Sequence, residues 1–321
     1  MSPQVQWVEI PFSVTDLRGC AGLRVDQFLS RRLHQYSRSQ VQGLIDQGRV
    51  FLRGRTAKAS SRVQEADVVM IRYPRRPEPE PEHASLRVIH DDAELLAVDK
   101  PPCVLSHPTD KVLLNTVTTI LSRQFPGTRL HLAHRLDRET SGVLVLAKDP
   151  ATARDLTEQF TRRDVSKEYL ALVFGRVEWE RTTVDRPLGR EGGRIKVRQA
   201  VDAEGGQPAV TEFERLAASE GMSLVRAVPR TGRLHQIRVH LASLGHPLLG
   251  DKLYLGDGEF YMKAVAGKLG LEEFEALRAP RQMLHANKVS LVHPGTGRRL
   301  ELAAPLPADF REAMGGLADG L

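Results

Sequence analysis

Hydrophobic positions along the chain change their spacing several times, and each change marks a predicted element. Between residues 25 and 33, Val25, Phe28, Leu29 and Leu33 recur at three- and four-residue intervals, which predicts a helix with one apolar face. Ser37 offers an N-cap for a second helix that carries Val41, Leu44 and Ile45 on one side, and Gly48 stops it. Short strands follow at 49–52 and 67–71, with an Arg53-Gly54-Arg55 turn after the first. Residues 74–82 alternate proline with charge, which favours extended polyproline II, a semi-rigid spacer of ~3.1 Å per residue. From residue 86 the pattern becomes strand-rich: 87–90, 95–98, 143–147, 167–175 and 223–228. Asp149-Pro150 reads as N-cap and first residue of a helix that buries Leu156 and Phe160 and ends at Arg162 and Arg163. Thr231-Gly232 turns the last of these strands into a helix over 235–244, terminated by Gly245 and Pro247. Residues 252–281, rich in Gly, Glu and Leu, read as an insertion with no legible role.

Length and composition narrow the class. A chain of 321 residues accommodates two domains, and its 41% hydrophobic and 27% charged residues are those of a globular protein. No apolar stretch approaches the eighteen or so residues of a membrane span, and the polar start Met1-Ser2-Pro3-Gln4 is not a signal peptide, so a cytoplasmic location is expected. Cys20 and Cys103 stand far apart and outside metal-ligand spacing, which argues against a disulfide framework or a zinc site. The net charge of +6 is unevenly spread. Nine basic residues (Arg24, Arg31, Arg32, Arg38, Arg49, Arg53, Arg55, Lys58, Arg62) face only Asp26 and Asp46 between positions 24 and 62, so this segment is +7 and the remainder close to neutral. A solvated helix face is the plainer reading of a charge run, but carboxylates at i,i+4 are missing here, and a polyanion-binding surface is expected.

The chemistry-bearing stretch is His134-Arg135-Leu136-Asp137-Arg138-Glu139-Thr140-Ser141-Gly142, placed just before the apolar run Val143-Leu144-Val145-Leu146-Ala147. Such a run predicts a strand buried on both faces, which ties the preceding loop to a rigid domain centre. An aspartate between two guanidiniums is biased toward its ionised form. Taken alone, an Arg-x-Asp-Arg loop is as readily a solvated ion pair. A tyrosine in the strand at 169 is ordinarily a core residue, and His235 and His240 read as satisfied surface histidines; without a glutamate at metalloprotease spacing they give no zinc site.

The string HRLDRETSG with its following strand resembles the catalytic motif of the RluA-type pseudouridine synthase family. Further motifs agree across residues 86–293: Asp99-Lys100-Pro101-Pro102 with Ser106-His107-Pro108, Lys167-Glu168-Tyr169-Leu170-Ala171, Arg230 to His240, Met283-Leu284-His285-Ala286, and His293-Pro294. Cys103 stands where that family usually has glycine, and would be strained if the loop needs a positive φ. The fragment SRSQVQGLIDQGRV resembles the S4 RNA-binding domain, with Arg53-Gly54 where Asn-Gly is frequent. The resemblance implies an α+β protein: an S4 domain of two helices plus a short hairpin, linked to a catalytic domain built on a mixed, largely antiparallel sheet. The expected organisation is an N-terminal extension at 1–17, the S4 domain at 18–73, a linker at 74–85 and the catalytic domain at 86–315.

By the same resemblance Asp137 is the essential aspartate, Tyr169 packs against the target uracil, and Arg233 pairs with Asp137, with Arg238 one helical turn on as its competitor. His235 and Gln236 support the site. Arg135 fills the gap left by the flipped base, and Arg24, Arg31, Arg32, Arg38, Arg49, Arg53, Arg55 and Lys58 contact RNA. The reaction needs no cofactor or metal: the N1–C1′ bond of a uridine breaks and the base rejoins through C5, with a carboxylate acting on the sugar as in glycosidases. Structured RNA is the expected partner, large-subunit ribosomal RNA first and tRNA second, with no DNA or membrane and a monomer as default. An aromatic content of 5% argues against binding by serial base stacking. The rivals are a catalytically silent RNA-binding or ribosome-assembly protein and an RNA glycosidase.

Overall fold

The computed structural model describes residues 6–15, 19–33, 38–75, 81–109 and 112–320. The chain divides into two compact units, residues 1–78 and 79–321. In the first, β1 (Gln6–Ser13), α1 (Val25–Arg32), α2 (Arg38–Asp46), β2 (Val50–Leu52), β3 (Arg55–Thr56) and β4 (Val68–Arg75) follow in order, and the strands form an antiparallel sheet ordered β1-β4-β2-β3. The predicted helical stripes are the buried ones. Val25, Phe28 and Leu29 from α1 and Val41, Leu44 and Ile45 from α2 share a core with Val50, Val69 and Ile71 of the sheet.

Three expectations change. The segment read as an N-terminal extension supplies β1, paired with β4 along its whole length. Ile10, Phe12 and Val14 alternate there with Pro11 and Ser13, a strand period that the sequence carries, and Phe12 and Val14 pack on the core. The supposed linker begins later, because Pro74 and Arg75 are still in β4; positions 76–80 and the expected cap Ser37 lie outside the described residues. Finally, Arg53 and Gly54 take φ of 52° and 73°, both left-handed as a type I′ turn requires. An arginine holds that conformation because its guanidinium is fixed on Asp67 by bonds of 2.8 and 2.6 Å.

The second unit contains β5 (Arg87–Asp91), β6 (Leu95–Lys100), α3 (Val117–Gln124), β7 (His131–Leu132), β8 (Ser141–Ala147), α4 (Pro150–Arg162), β9 (Ser166–Phe174), β10 (Arg181–Asp185), β11 (Leu188–Arg190), β12 (Gln199–Val201), β13 (Val210–Ala218) and β14 (Met222–Pro229). After these come α5 (Gln236–Ser243), α6 (Glu259–Val265), α7 (Leu271–Leu277), β15 (Leu284–Val292), β16 (Arg299–Ala303) and α8 (Ala308–Met314). A ten-stranded mixed sheet runs β10-β13-β14-β9-β15-β8-β6-β5, with β16 beside β15 and β7 beside β8. Its described pairings are antiparallel except for β8 with β15, where Ser141 meets His285 and Gly142 meets Ala286.

All seven residues of β8 are buried, as an unbroken apolar run predicts. Val143, Val145 and Ala147 face Leu156 of α4 and Leu291 of β15, while Leu144 and Leu146 face Val117, Ile120 and Leu121 of α3. Asp149 caps α4 by accepting from the N–H groups of Ala151 and Thr152. Gly142 marks the closest approach in the sheet: φ is 109°, and a Cβ there would lie 2.2 Å from the carbonyl oxygen of Ala286. Cys103 does adopt the left-handed conformation that favours glycine, with φ 63°. The supposed insertion is not peripheral throughout, since Leu253, Tyr254, Leu277 and Ala279 are buried and α6 and α7 lie between them.

Among the described residues, His90, Asp92 and His293 bring possible metal-ligand atoms within 4.8 Å of one another. Their hydrogen bonds account for the grouping. His293 Nδ1 accepts from the N–H groups of Gly295 and Thr296, so Nε2 carries the proton and donates to Asp92 at 2.8 Å. That proton occupies the lone pair a metal would need.

Replacing Gly142 by alanine forces β8 and β15 apart, and a loss of about 3 kcal/mol or more is expected in urea unfolding followed by circular dichroism. Cys103→Gly is expected to raise stability by up to about 1 kcal/mol in the same measurement, because it relieves a left-handed φ.

Candidate active site

The loop 136–140 between β7 and β8 is held from several directions. Ser106 Oγ donates to the Leu136 carbonyl and accepts from the Leu136 N–H, at 3.0 and 3.1 Å. Lys100, fully buried at the end of β6, donates to the carbonyls of Pro101, Val104 and Arg138 at 2.8, 2.8 and 3.0 Å. Burial pulls its pKa down to about 7, yet three carbonyl acceptors match the three N–H bonds of an ammonium and favour the charged form. From the far side Arg281 donates to the Glu139 carbonyl, the Gln282 N–H donates to the Glu139 carboxylate, and Gln282 Nε2 reaches Thr140 Oγ1. Asp137 is thus fixed by its neighbours' backbone.

Its charge is set from elsewhere. Arg238, on α5, donates from Nη1 to Asp137 Oδ2 at 2.9 Å. Asp251 takes two further N–H bonds of that guanidinium, with Nε to Oδ2 at 2.7 Å and Nη2 to Oδ1 at 2.8 Å. Asp251 is wholly buried and also accepts from the N–H groups of Leu253 and Tyr254. A guanidinium clamped bidentately through Nε and Nη2 is fixed in its plane, and one of its three remaining N–H bonds, on Nη1, points at Asp137. Burial alone raises the Asp137 pKa; the positive charge and hydrogen bond of Arg238 outweigh it and hold the carboxyl below the usual aspartate range. About a quarter of the Asp137 side chain stays exposed, to a cleft of about 770 Å³.

The cleft is lined among others by Arg135, Lys167, Tyr169, Arg233 and His235, so the structure brings together residues that the sequence scatters over a hundred positions. Tyr169, on β9, is half-buried; burial first and the charge of Asp137 second raise its pKa and keep the phenol protonated. Gln236 accepts from Thr231 Oγ1 and the Arg233 N–H and donates to the Val210 carbonyl and Thr211 Oγ1, which locks the 231–233 turn onto β13. His235 faces Asp137 at 3.9 Å.

Several expectations need correction. Arg233 is not the partner of Asp137: it sits in the turn ahead of α5 and donates to the Pro208 carbonyl at 3.1 Å, whereas Arg238 is one helical turn further in. The sequence neighbours do not supply the pairing charge either, since Arg135 is exposed and Arg138 donates to the Cys103 carbonyl. His240 is fully buried, not a surface residue, bonded to Thr211 Oγ1 and the Arg186 carbonyl. In the first unit Arg31, Arg32, Arg38, Arg55 and Lys58 are exposed, while Arg24 is paired with Asp26 and Arg53 with Asp67. Arg49 lies over the Trp7 ring at 5.7 Å. Asp251, Tyr254, Gln282 and Arg281 escaped sequence reading; no short-range pattern links Asp251 to a position 13 residues earlier.

A sheet with helices on both faces, an ionised and pre-oriented carboxylate, and an aromatic on the wall of an open cleft define an enzyme site for a large, polar substrate. Residues 94–243 match the RNA pseudouridylate synthase family, and residues 23–69 match the S4 domain. The ribosomal large subunit pseudouridine synthase D of Nitrosomonas europaea is 35% identical over 90% of this chain and 83% of its own length. The protein of the same name from Pseudomonas aeruginosa is 32% identical over 97% of this chain and 95% of its own. Among solved structures, human RNA pseudouridylate synthase domain containing 4 superposes with a TM-score of 0.57 at 30% identity, covering 72% of this chain and 93% of that one. The chain belongs to the RNA pseudouridine synthase family, with an S4 domain ahead of the catalytic unit.

Because Asp137 is held below the usual range, activity that needs its carboxylate persists until the pH falls through that lowered pKa. In Arg238→Met burial is opposed only by the weaker influences of His235 and Gln282, the pKa rises, and the acid limb of the pH–rate profile is expected to move upward by about 1 unit or more. An unmoved limb counts against Arg238 as the source of the shift. Asp251→Asn loosens the clamp on Arg238 and is expected to lower single-turnover rates about 10- to 100-fold with the fold retained.

Proposed function

We propose that this chain isomerises specific uridines of large-subunit ribosomal RNA to pseudouridine, acting in the cytoplasm as a monomer. The observation that carries the reading is an ionised, rigidly held Asp137 open to a cleft that also presents Tyr169 and Arg135. Two relatives named for the large ribosomal subunit, similar over nearly the whole chain, favour that RNA over tRNA.

Asp137 acts on the ribose of the target nucleotide, as nucleophile at C1′ or as base toward the sugar, and either role needs the carboxylate form. The N1–C1′ bond breaks, the uracil turns, and C5 bonds to C1′ with loss of its proton. Tyr169, protonated, offers a ring face that keeps the detached base in place. A stacked base has to leave its helix at a cost of a few kcal/mol, and Arg135, exposed at the cleft rim, fills the space it vacates. Exposed Arg31, Arg38, Arg55 and Lys58 of the S4 domain contact phosphates.

Tritium release from a large-subunit ribosomal RNA transcript labelled at uracil C5 tests the assignment. Wild type is expected to release tritium and Asp137→Asn to be slower by about 10³-fold or more. Equal release by both overturns the role of Asp137, and free uracil among the products indicates a glycosidase instead. Neutralising Arg38, Arg55 and Lys58 together should make log affinity fall less steeply with log salt, by about 0.7–0.9 in slope for each phosphate these side chains neutralise, read by filter binding across a salt series.

A further inference from the structure

His235 sits at the N-terminal end of α5 in the left-handed conformation, φ 56°, a strained position for a histidine that the structure must hold by other means. Tyr254 holds it. The Tyr254 hydroxyl accepts from the Gln199 N–H at 3.0 Å and lies 2.9 Å from His235 Nδ1, and the two rings meet edge to face with centroids 5.7 Å apart. The 2.9 Å contact fits either direction, and we assign the hydroxyl as donor to Nδ1, which leaves its oxygen to accept from Gln199. An imidazole that accepts at Nδ1 carries its hydrogen on Nε2. Burial, followed by the charge of Arg238, lowers the His235 pKa to about 4, so the ring is neutral at pH 7 with this one donor.

That donor has no acceptor within hydrogen-bond reach among the described residues. Nε2 stands 3.9 Å from Asp137 Oδ2, beyond a hydrogen bond. One oxygen atom fits between them at about 2.8 Å from each. Such an oxygen has to accept from the N–H and donate to the carboxylate, as a water or a hydroxyl does, and of the oxygens an RNA chain presents only a hydroxyl does both. A phosphate oxygen has no proton to give and is repelled by Asp137; a uracil carbonyl likewise cannot donate. In an internal nucleotide of an RNA chain the 2′-hydroxyl is the sole free sugar hydroxyl.

We propose that His235 and Asp137 together bind the ribose 2′-hydroxyl of the target nucleotide, with Tyr254 as the positioning residue that fixes the His235 tautomer. The inference rests on the reading above that Asp137 faces the sugar of the target uridine. It makes the site selective for ribose, and it assigns a task to the segment after α5 beyond the clamp from Asp251.

The experiment uses a stem-loop of large-subunit ribosomal RNA that contains the modified uridine, prepared with either ribose or 2′-deoxyribose at that one nucleotide. Wild type should bind the ribose form about 10- to 100-fold more tightly. His235→Asn, chosen because asparagine tolerates a left-handed φ, should reduce that preference to about 3-fold or less. Tyr254→Phe should give an intermediate preference, and the double variant should be no worse than His235→Asn alone, because Tyr254 acts through His235. Nitrogen-15 spectra of histidine-labelled wild type should show His235 protonated at Nε2 and bare at Nδ1 at neutral pH. A preference unchanged in His235→Asn, additive effects, or an Nδ1–H tautomer overturns the hydroxyl site while leaving the pseudouridine assignment standing. Failure of wild type to release tritium from the ribose stem-loop refutes the assignment itself and removes the basis of the hydroxyl site with it.

Discussion

The guanidinium of Arg238 between two carboxylates holds the site together. Three charges in a row, two of them buried, are costly to desolvate, and they are tolerable because every nitrogen of the Arg238 guanidinium and both oxygens of Asp251 are hydrogen-bonded. Asp251 commits its oxygens to Arg238 and to two backbone N–H groups, so it is a fixed anchor; Arg238, bidentate to it, has no freedom to follow Asp137. The order of commitment matters chemically. An aspartate that owned its arginine outright would be a satisfied ion pair, whereas here Asp137 receives one N–H and keeps capacity for a substrate.

Rigidity reaches the same loop through its backbone. Lys100 and Ser106 bond to the residues on either side of Asp137, Arg281 and Gln282 to Glu139 and Thr140 just beyond, and β8 anchors the downstream end between two apolar layers. A carboxylate pre-oriented in this way does not lose side-chain freedom on binding, which is how a static scaffold lowers a barrier. The close approach of Gly142 to Ala286 is the steric counterpart, since the parallel pairing that sets the loop's exit leaves no room for a Cβ.

Local features of the chain were legible because their causes are local. The stripe Val25, Phe28 and Leu29, the capped start of α4 at Asp149, and the doubly buried run at 143–147 each follow from periodicity or from hydrogen bonds within a few residues. Strand β1 was equally readable in the alternation Ile10, Phe12, Val14 but is disguised by its terminal position. Spacing left undecided the choice between Arg233 and Arg238. Both fall within six residues, and which one points inward depends on where α5 begins and on the left-handed kink at His235.

The class of chemistry and most of the elements are written in the amino-acid order: an aspartate motif beside a buried strand, a tyrosine in a second strand, an arginine-rich helix start, and a basic two-helix unit ahead of them. The choice of partners belongs to the folded chain. That Arg238 pairs with Asp137, that Asp251 steadies it, that Tyr254 orients His235, and that Arg53 serves a turn through Asp67 are all consequences of long-range packing. Hydrophobic period and capping act over a few residues, whereas a hydrogen bond between side chains a hundred positions apart exists only once the sheet has brought their strands and helices together.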